Sequence, residues 1–433
     1  MRPTKVVVIG AGSASFGPGI ISDILLNPEM KGSTLALVDK NEQGLELIAK
    51  LAGRMNREWG SGLKIQAHAD RKKALRGAEF VIISIAVERE VRWRLDWEIP
   101  NKYGVRQPLG ENGGPGAFAH GARNIPMIID ICRDMEKLCP DAWLFNFTNP
   151  VPRVALAVSR YTNIKVCGFC HQIGAAYRQV SVVLDIDRAD LDIKAAGLNH
   201  FTWILDIRRK STGEDLYPAF RAAVEKYDPG YHPLSREMFR AFGIYPAPGD
   251  GHMAEYLQWT HDLKTKPWKK YDLDLYDWDG AMKGRDEMWL RIADHARGKG
   301  RLEDHYHGTG ERAIPVLTAM VQNKNSFEDA VNLPNEGYIE NLPDESIVEV
   351  PGVVSGMGVR GMGVGCLPEP VAELCRRQLT VTDLAVHAAV TGDKQAALQA
   401  ILLDPMVNDI DAAKGILREF LEVHGDLMPQ FAK

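Results

Sequence analysis

The feature that most constrains this chain is its opening: a β-branched run, Lys5-Val6-Val7-Val8-Ile9, that stops at Gly10-Ala11-Gly12-Ser13. Branched side chains pack well on a pleated surface covered on both faces, so this run reads as a buried strand. Two glycines straight after it permit a tight turn, and residues 18–26 then carry helical patterning. Thr34 to Val38 reads as a second buried strand, closed by Asp39. Strand, glycine turn, helix and strand within about 40 residues make one unit of a doubly wound parallel sheet. Apolar runs at 79–85, 142–147 and 164–168, separated by helical stretches such as 122–138 and 152–161, continue the alternation.

At 433 residues the chain suits two packed domains. The character changes near residue 195. Most of the tryptophans lie in 196–330, residues 326–365 read as short strands and turns, and 366–433 return to helical patterning. The expected division is a Rossmann-type domain over 1–195 and a mixed α+β domain over 196–433, as in lactate/malate dehydrogenase-like folds. The net charge is −5 with no basic block, which argues against a nucleic-acid surface. No apolar run reaches the roughly 18 residues of a membrane helix. The N-terminus enters the first strand with no signal-peptide cleavage site, and the six cysteines are too sparse for a disulfide scaffold. These features lead us to expect a cytoplasmic protein with thiols free to react.

The glycine turn is built for a dinucleotide. Glycines there let the backbone approach a pyrophosphate, and the following helix offers amide donors and partial positive charge. The match to G-x-G-x-x-G is imperfect, because the third position is Ser15. Asp39 ends the second strand 27 residues after Gly12. A carboxylate there binds the adenosine ribose diol and repels a 2′-phosphate, which favours NAD over NADP, although Lys40 beside it works the other way. The expected cofactor contacts are Gly10, Gly12, Ser13, Phe16 and Asp39.

Cys167-Gly-Phe-Cys170 admits a redox reading, but a thioredoxin-type motif belongs early in a small domain with no dinucleotide unit in front. Cys170 also follows a buried strand at the sheet edge where ligands bind in open α/β folds, and His200 lies about 30 residues on. One thiolate and one imidazole make two ligands for a catalytic metal with room left for substrate oxygens and water. On spacing alone, a buried inert thiol and a hydrogen-bonded core histidine compete with that reading.

Taken together, these residues resemble glycoside hydrolase family 4 nearly end to end. The motifs are the glycine turn, Ile99 to Gly104 with Gly110-Glu-Asn-Gly-Gly-Pro-Gly116, Asn146-Phe-Thr-Asn149-Pro, Cys170-His171-Gln172, Asn199-His200, Asp250-Gly-His252-Met-Ala-Glu255-Tyr256, Val348-Glu-Val-Pro351, Gly365-Cys-Leu-Pro368 and Thr391-Gly-Asp393. The resemblance implies NAD and a divalent metal, usually manganese, held by Cys170 and His200. It implies hydrolysis by oxidation at sugar C3, proton loss at C2, elimination at C1, addition of water and return of the hydride, an exception to two-carboxylate glycosidases. Asp250 is the expected C2 base and Tyr256 the reserve. Asn149, Glu111, His171 and Arg123 are the expected substrate contacts, and a homodimer or homotetramer is implied.

Within the family, Cys170-His171-Gln172-Ile173 departs from the pattern of members acting on phosphorylated sugars, so the expected partner is an unphosphorylated glycoside or hexuronide. A uronide carboxylate needs a basic group, for which Arg123 and Arg312 are candidates. Two rivals stand beside this reading. One is an NAD-dependent sugar or 2-hydroxy-acid dehydrogenase releasing NADH, and the other a non-catalytic NAD-sensing protein.

Overall fold

The computed structural model describes residues 1–273 and 275–432. Six strands run parallel: β1 (Lys5–Ile9), β2 (Thr34–Val38), β3 (Lys64–His68), β4 (Phe80–Ile83), β5 (Trp143–Asn146) and β6 (Lys165–Gly168), in the order β3-β2-β1-β4-β5-β6. This is the doubly wound dinucleotide-binding order expected from the sequence. Alternate residues explain the double burial of β1. Val6 and Val8 pack with helices Gly17–Leu26 and Glu42–Glu58 on one face. Val7 and Ile9 pack with helices Gly114–Leu138 and Val151–Tyr161 on the other. The apolar patterning missed β3, because Lys64-Ile-Gln-Ala-His is an exposed edge strand set by backbone pairing to β2 rather than by burial.

The same sheet continues antiparallel through β7 (Leu191–Leu198), β8 (Phe201–Arg209), β9 (Tyr245–Pro246), β10 (Ser326–Pro334), β11 (Ile347–Ser355) and β12 (Gly358–Gly361). The join is β10 against β6, where Asn332 pairs with Gly168. Residue 195 falls inside β7. Helices Glu369–Thr391, Lys394–Leu403 and Ile410–Val423 fold back to share a core with the helices of the first half. The β6–β10–β11–β7 pairing sets the turn between β7 and β8 beside the C-terminal end of β6. Among the described residues, no helix is long and apolar enough to cross a membrane.

Candidate active site

A cleft of about 890 Å³ opens at the C-terminal ends of β1, β2, β4 and β5, lined by Gly10, Gly12, Ser13, Phe16, Asp39, Ser84, Glu111 and Asn149 among others. The glycines are required by contact. Gly10 has φ +89°, and a Cβ there would lie 2.1 Å from the Ser84 carbonyl oxygen. The Gly12 N–H donates to Asp39 Oδ2 at 2.7 Å, and Asp39 Oδ1 accepts from the Asn41 N–H at 2.8 Å. Each oxygen keeps lone-pair capacity for a ribose hydroxyl. The close packing usually made by the third glycine falls to Gly17 instead of Ser15: a Cβ on Gly17 would sit 2.3 Å from the Ala11 carbonyl oxygen. Phe16 precedes that helix and packs on Phe147 with ring centroids 5.2 Å apart.

Beside this cleft lies a second set of groups. The β7–β8 turn holds His200 in the left-handed region, φ +62°, a conformation that costs a non-glycine residue free energy and is concentrated at functional sites. Its Nε2 lies 3.2 Å from Cys170 Sγ. Its ring centroid is 4.2 Å from that of His252. Ligand atoms of His200, His252 and Glu255 fall within 4.8 Å of one another. The carboxylate of Glu255 is fully buried; Oε2 lies 3.4 Å from His252 Nδ1, and Oε1 accepts long hydrogen bonds from the amides of Glu111, Asn112 and Gly113. Behind them, Asn199 and Asn332 both donate to Glu349 Oε2, at 2.7 and 2.9 Å. His171 Nδ1 lies 2.8 Å from Glu311 Oε1.

The electrostatics suit a cation. Burial, then the Glu311 and Glu349 carboxylates, push the Cys170 thiol well up, so a thiolate there calls for a positive partner. Burial, then His252 and His171, hold His200 well below the usual imidazole range, leaving it neutral and ready to ligate. His200 Nδ1, Glu311 Oε2, Glu349 Oε1 and both side-chain polar atoms of Asn112 are buried without hydrogen-bond partners among the described residues. A thiolate, two imidazoles and a carboxylate form a donor set for a borderline divalent metal. The glycine cradle with Asp39 fits a dinucleotide.

Residues 5–186 match the sequence profile described as Family 4 glycosyl hydrolase, and residues 195–407 that of the Family 4 glycosyl hydrolase C-terminal domain. This chain is a family 4 glycosyl hydrolase. Over 94% of its length it is 33% identical to an α-glucosidase of Erwinia rhapontici, covering 95% of that protein. Over 99% of its length it is 31% identical to an α-galactosidase of Bacillus subtilis, covering 99% of it. The crystal structure of a 6-phospho-α-glucosidase from gut microorganisms, in complex with NAD and Mn2+, matches with a TM-score of 0.86 at 25% identity over 99% of both chains.

In this family 4 chain, the expected site residues divide into two groups. Gly10, Gly12, Ser13, Phe16, Asp39, Glu111 and Asn149 line the one cleft, and Cys170 and His200 meet. Glu111 also makes an ion pair with Arg89 at 3.1 Å. His171 is exposed and tied to Glu311. Tyr256 is buried against Phe201, with ring centroids 5.0 Å apart. Burial and then Glu255 push its phenol up, Arg153 pulls it down, and Asp404 pushes it up again.

Three of the expected residues are engaged elsewhere in this structure. Asp250, expected as the base, holds the start of helix Pro233–Phe242: Oδ2 accepts from the Leu234 N–H at 2.8 Å, and Oδ1 from the Ser235 N–H and hydroxyl at 3.0 and 2.6 Å. Both oxygens thus take part in that anchor, and the carboxylate is buried. Arg123, expected to meet substrate, is buried in a two-pronged pair with Asp96 at 2.6 and 2.5 Å. Arg312, the other candidate for a uronide carboxylate, is likewise paired with Glu328 at 2.8 and 3.0 Å. Sequence reasoning left Glu255 without a role and gave His252 only an orienting one, and it passed over Arg153. His252 and Glu255 stand three apart in a helical stretch, the spacing that puts both on one face, and that signal was available.

Proposed function

We propose that this family 4 enzyme hydrolyses an unphosphorylated glycoside or hexuronide, with NAD in the glycine-lined cleft and manganese or another divalent cation on Cys170, His200, His252 and Glu255. The observation that carries this reading is continuity. The side chain of Glu111 lines the cleft, while its amide faces Glu255 of the ligand group. When bound, the nicotinamide supplies a hydride acceptor and donor for a sugar C–H, and the cation a Lewis acid for neighbouring sugar oxygens.

The chain's own residues do the rest. Cys170 and the neutral His200 hold the cation, with Asn199 and Glu349 behind them. Tyr256 takes the proton from sugar C2. Burial works against its phenolate, whereas Arg153 and a nearby cation favour it. His171 carries a proton at the leaving-group oxygen, since its hydrogen bond to Glu311 raises its pKa. Asn149 contacts the sugar from the cleft wall. Two halves thus share one site, the cofactor turn and Cys170 from 1–195 and the remaining ligands from 196–433. A cytoplasmic location is part of the same reading, supported by the six free thiols and the need for Cys170 to stay reduced; a homodimer or homotetramer rests on the family resemblance alone.

The test is glycoside cleavage across unphosphorylated α- and β-hexosides and hexuronides with NAD, Mn2+ and a thiol reductant, omitting each in turn. Cleavage that needs both NAD and metal, with no net NADH, is expected. Accumulation of NADH without cleavage would make the protein a sugar dehydrogenase.

A further inference from the structure

Glu349 is 1% exposed inside β11, in the apolar run Ile347-Val348-Glu349-Val350. A carboxylate buried there is costly unless hydrogen bonds offset its loss of water. One of its oxygens takes both of the side-chain bonds. Glu349 Oε2 accepts from Asn199 Nδ2 at 2.7 Å and from Asn332 Nδ2 at 2.9 Å, while Oε1 is buried without a hydrogen-bond partner among the described residues.

A single rung of the sheet runs through this residue. Gly168 of β6 pairs with Asn332 of β10, Asn332 with Glu349 of β11, and Glu349 with Gly197 of β7. Cys170 follows one end of the rung by two residues, and His200 follows the other by three. On the Cys170 side, Asn332 Nδ2 also reaches the Gly168 carbonyl oxygen at 3.4 Å. Glycine is required there, since a Cβ on Gly168 would lie 2.5 Å from Val151 Cγ1 and 3.0 Å from Asn332 Cβ. On the His200 side, Asn199 is the residue immediately before the ligand. The left-handed backbone of His200, φ +62°, persists only where its surroundings hold it. Both ends of the 3.2 Å contact between Cys170 Sγ and His200 Nε2 are therefore reached from one oxygen atom.

We infer that Glu349 is a positioning residue for the metal site: through Asn199 and Asn332, its Oε2 fixes the spacing of Cys170 and His200 and with it the affinity for the cation. Hydrogen bonds that orient ligands matter nearly as much to a metal site as the ligands themselves. The role is one of geometry, because Oε2 works as an acceptor for two neutral amides. Glutamine, which keeps one acceptor oxygen on a side chain of the same length, therefore serves where leucine cannot. The inference rests on the ligand assignment in the proposed function above.

The test uses the full chain with NAD and a phosphine reductant, titrated with Co2+ and, separately, with Mn2+. A thiolate-to-cobalt charge-transfer band reports Cys170 on the metal, and electron paramagnetic resonance reports bound Mn2+. Glu349→Leu should weaken both cations by roughly 10–100-fold and shift or diminish the band at saturating Co2+. Glu349→Gln should stay close to wild type in affinity and keep the band in place. NAD binding, followed by fluorescence, should be the same in all of them, which separates a loosened metal site from a damaged fold. If Glu349→Leu does not fold, Asn199→Ala and Asn332→Ala cut the two arms one at a time. Each should weaken the cation, and the double variant should lose less than the product of the two, because either cut already frees one ligand. A folded Glu349→Leu with wild-type affinity and band, independent effects of the two arms, or a glutamine variant as impaired as the leucine one overturns the inference. A wild type that binds Co2+ without a thiolate band removes Cys170 as a ligand, and the proposed metal site with it. A wild-type band that no variant moves removes the role of Glu349 alone.

Discussion

Cys170 Sγ lies 3.2 Å from His200 Nε2, although the two are thirty residues apart and stand on different strands' ends. The contact exists because β6 is tied through β10 and β11 to β7, which aims the β7–β8 turn at the end of β6. Cys170→Ser is expected to cost the enzyme its Mn2+ response, since a hydroxyl stays protonated where a thiolate is needed. NAD affinity should stay within about twofold. Mn2+ binding followed by electron paramagnetic resonance, beside an NAD fluorescence titration, checks both, and near-normal manganese activation in the variant would sink the assignment.

His252 and Glu255 extend that pair. His252→Ala removes a proposed ligand and should weaken Mn2+ binding by at least the roughly 10–100-fold that follows loss of a group merely supporting a ligand. Glu255→Gln keeps the acceptor for the 111–113 amides but loses the charge, so its Mn2+ affinity should fall while its melting temperature holds. Equal drops in affinity and stability would mean that Glu255 only anchors the loop.

Legibility from sequence followed burial. Strands β1, β2, β4, β5 and β6 announced themselves because both faces are covered, whereas β3 is an exposed edge with no apolar run to see. Cys170 and His200 were legible through the family's motifs, but nothing local distinguishes a ligand from a core thiol. Asp250 was expected as the base from the family's motif, and its sequence neighbourhood gives no sign of its hydrogen bonds to helix Pro233–Phe242, which begins 17 residues earlier in sequence. Arg153 left one faint trace, a lone charge within Val-Pro-Arg-Val-Ala-Leu-Ala-Val, and such a charge in an apolar helix is unusual.

Tyr256 and Asp250 separate cleanly by variant. Tyr256→Phe should lower kcat by roughly 10²–10⁴-fold, the range for loss of a positioned proton acceptor, and should abolish uptake of solvent deuterium at C2 of the product sugar. Asp250→Asn should instead cost about 1 kcal/mol of stability, as a lost helix cap does. If Asp250→Asn alone stops the deuterium uptake, the base has been misassigned.

Asp96 is fully buried between Arg123 and His424, whose Nε2 lies 2.9 Å from Oδ1. Burial by itself would raise the Asp96 carboxyl, but Arg123, His120 and His424 outweigh it and hold the carboxyl far below the usual range. A depressed folded-state pKa contributes stability that is present above the unfolded value, about 3.9, and is lost as pH falls below it toward the folded one. Asp96→Asn strands Arg123 without its counter-charge and should destabilise the protein by about 3–5 kcal/mol at pH 7. The gap to wild type should stay constant down to about pH 4 and narrow below it, as the wild type loses what the variant never had. Thermal melts of both proteins from pH 7 to pH 3 measure that gap, and one that widened with acid would show that Asp96 is not the charged centre of this network.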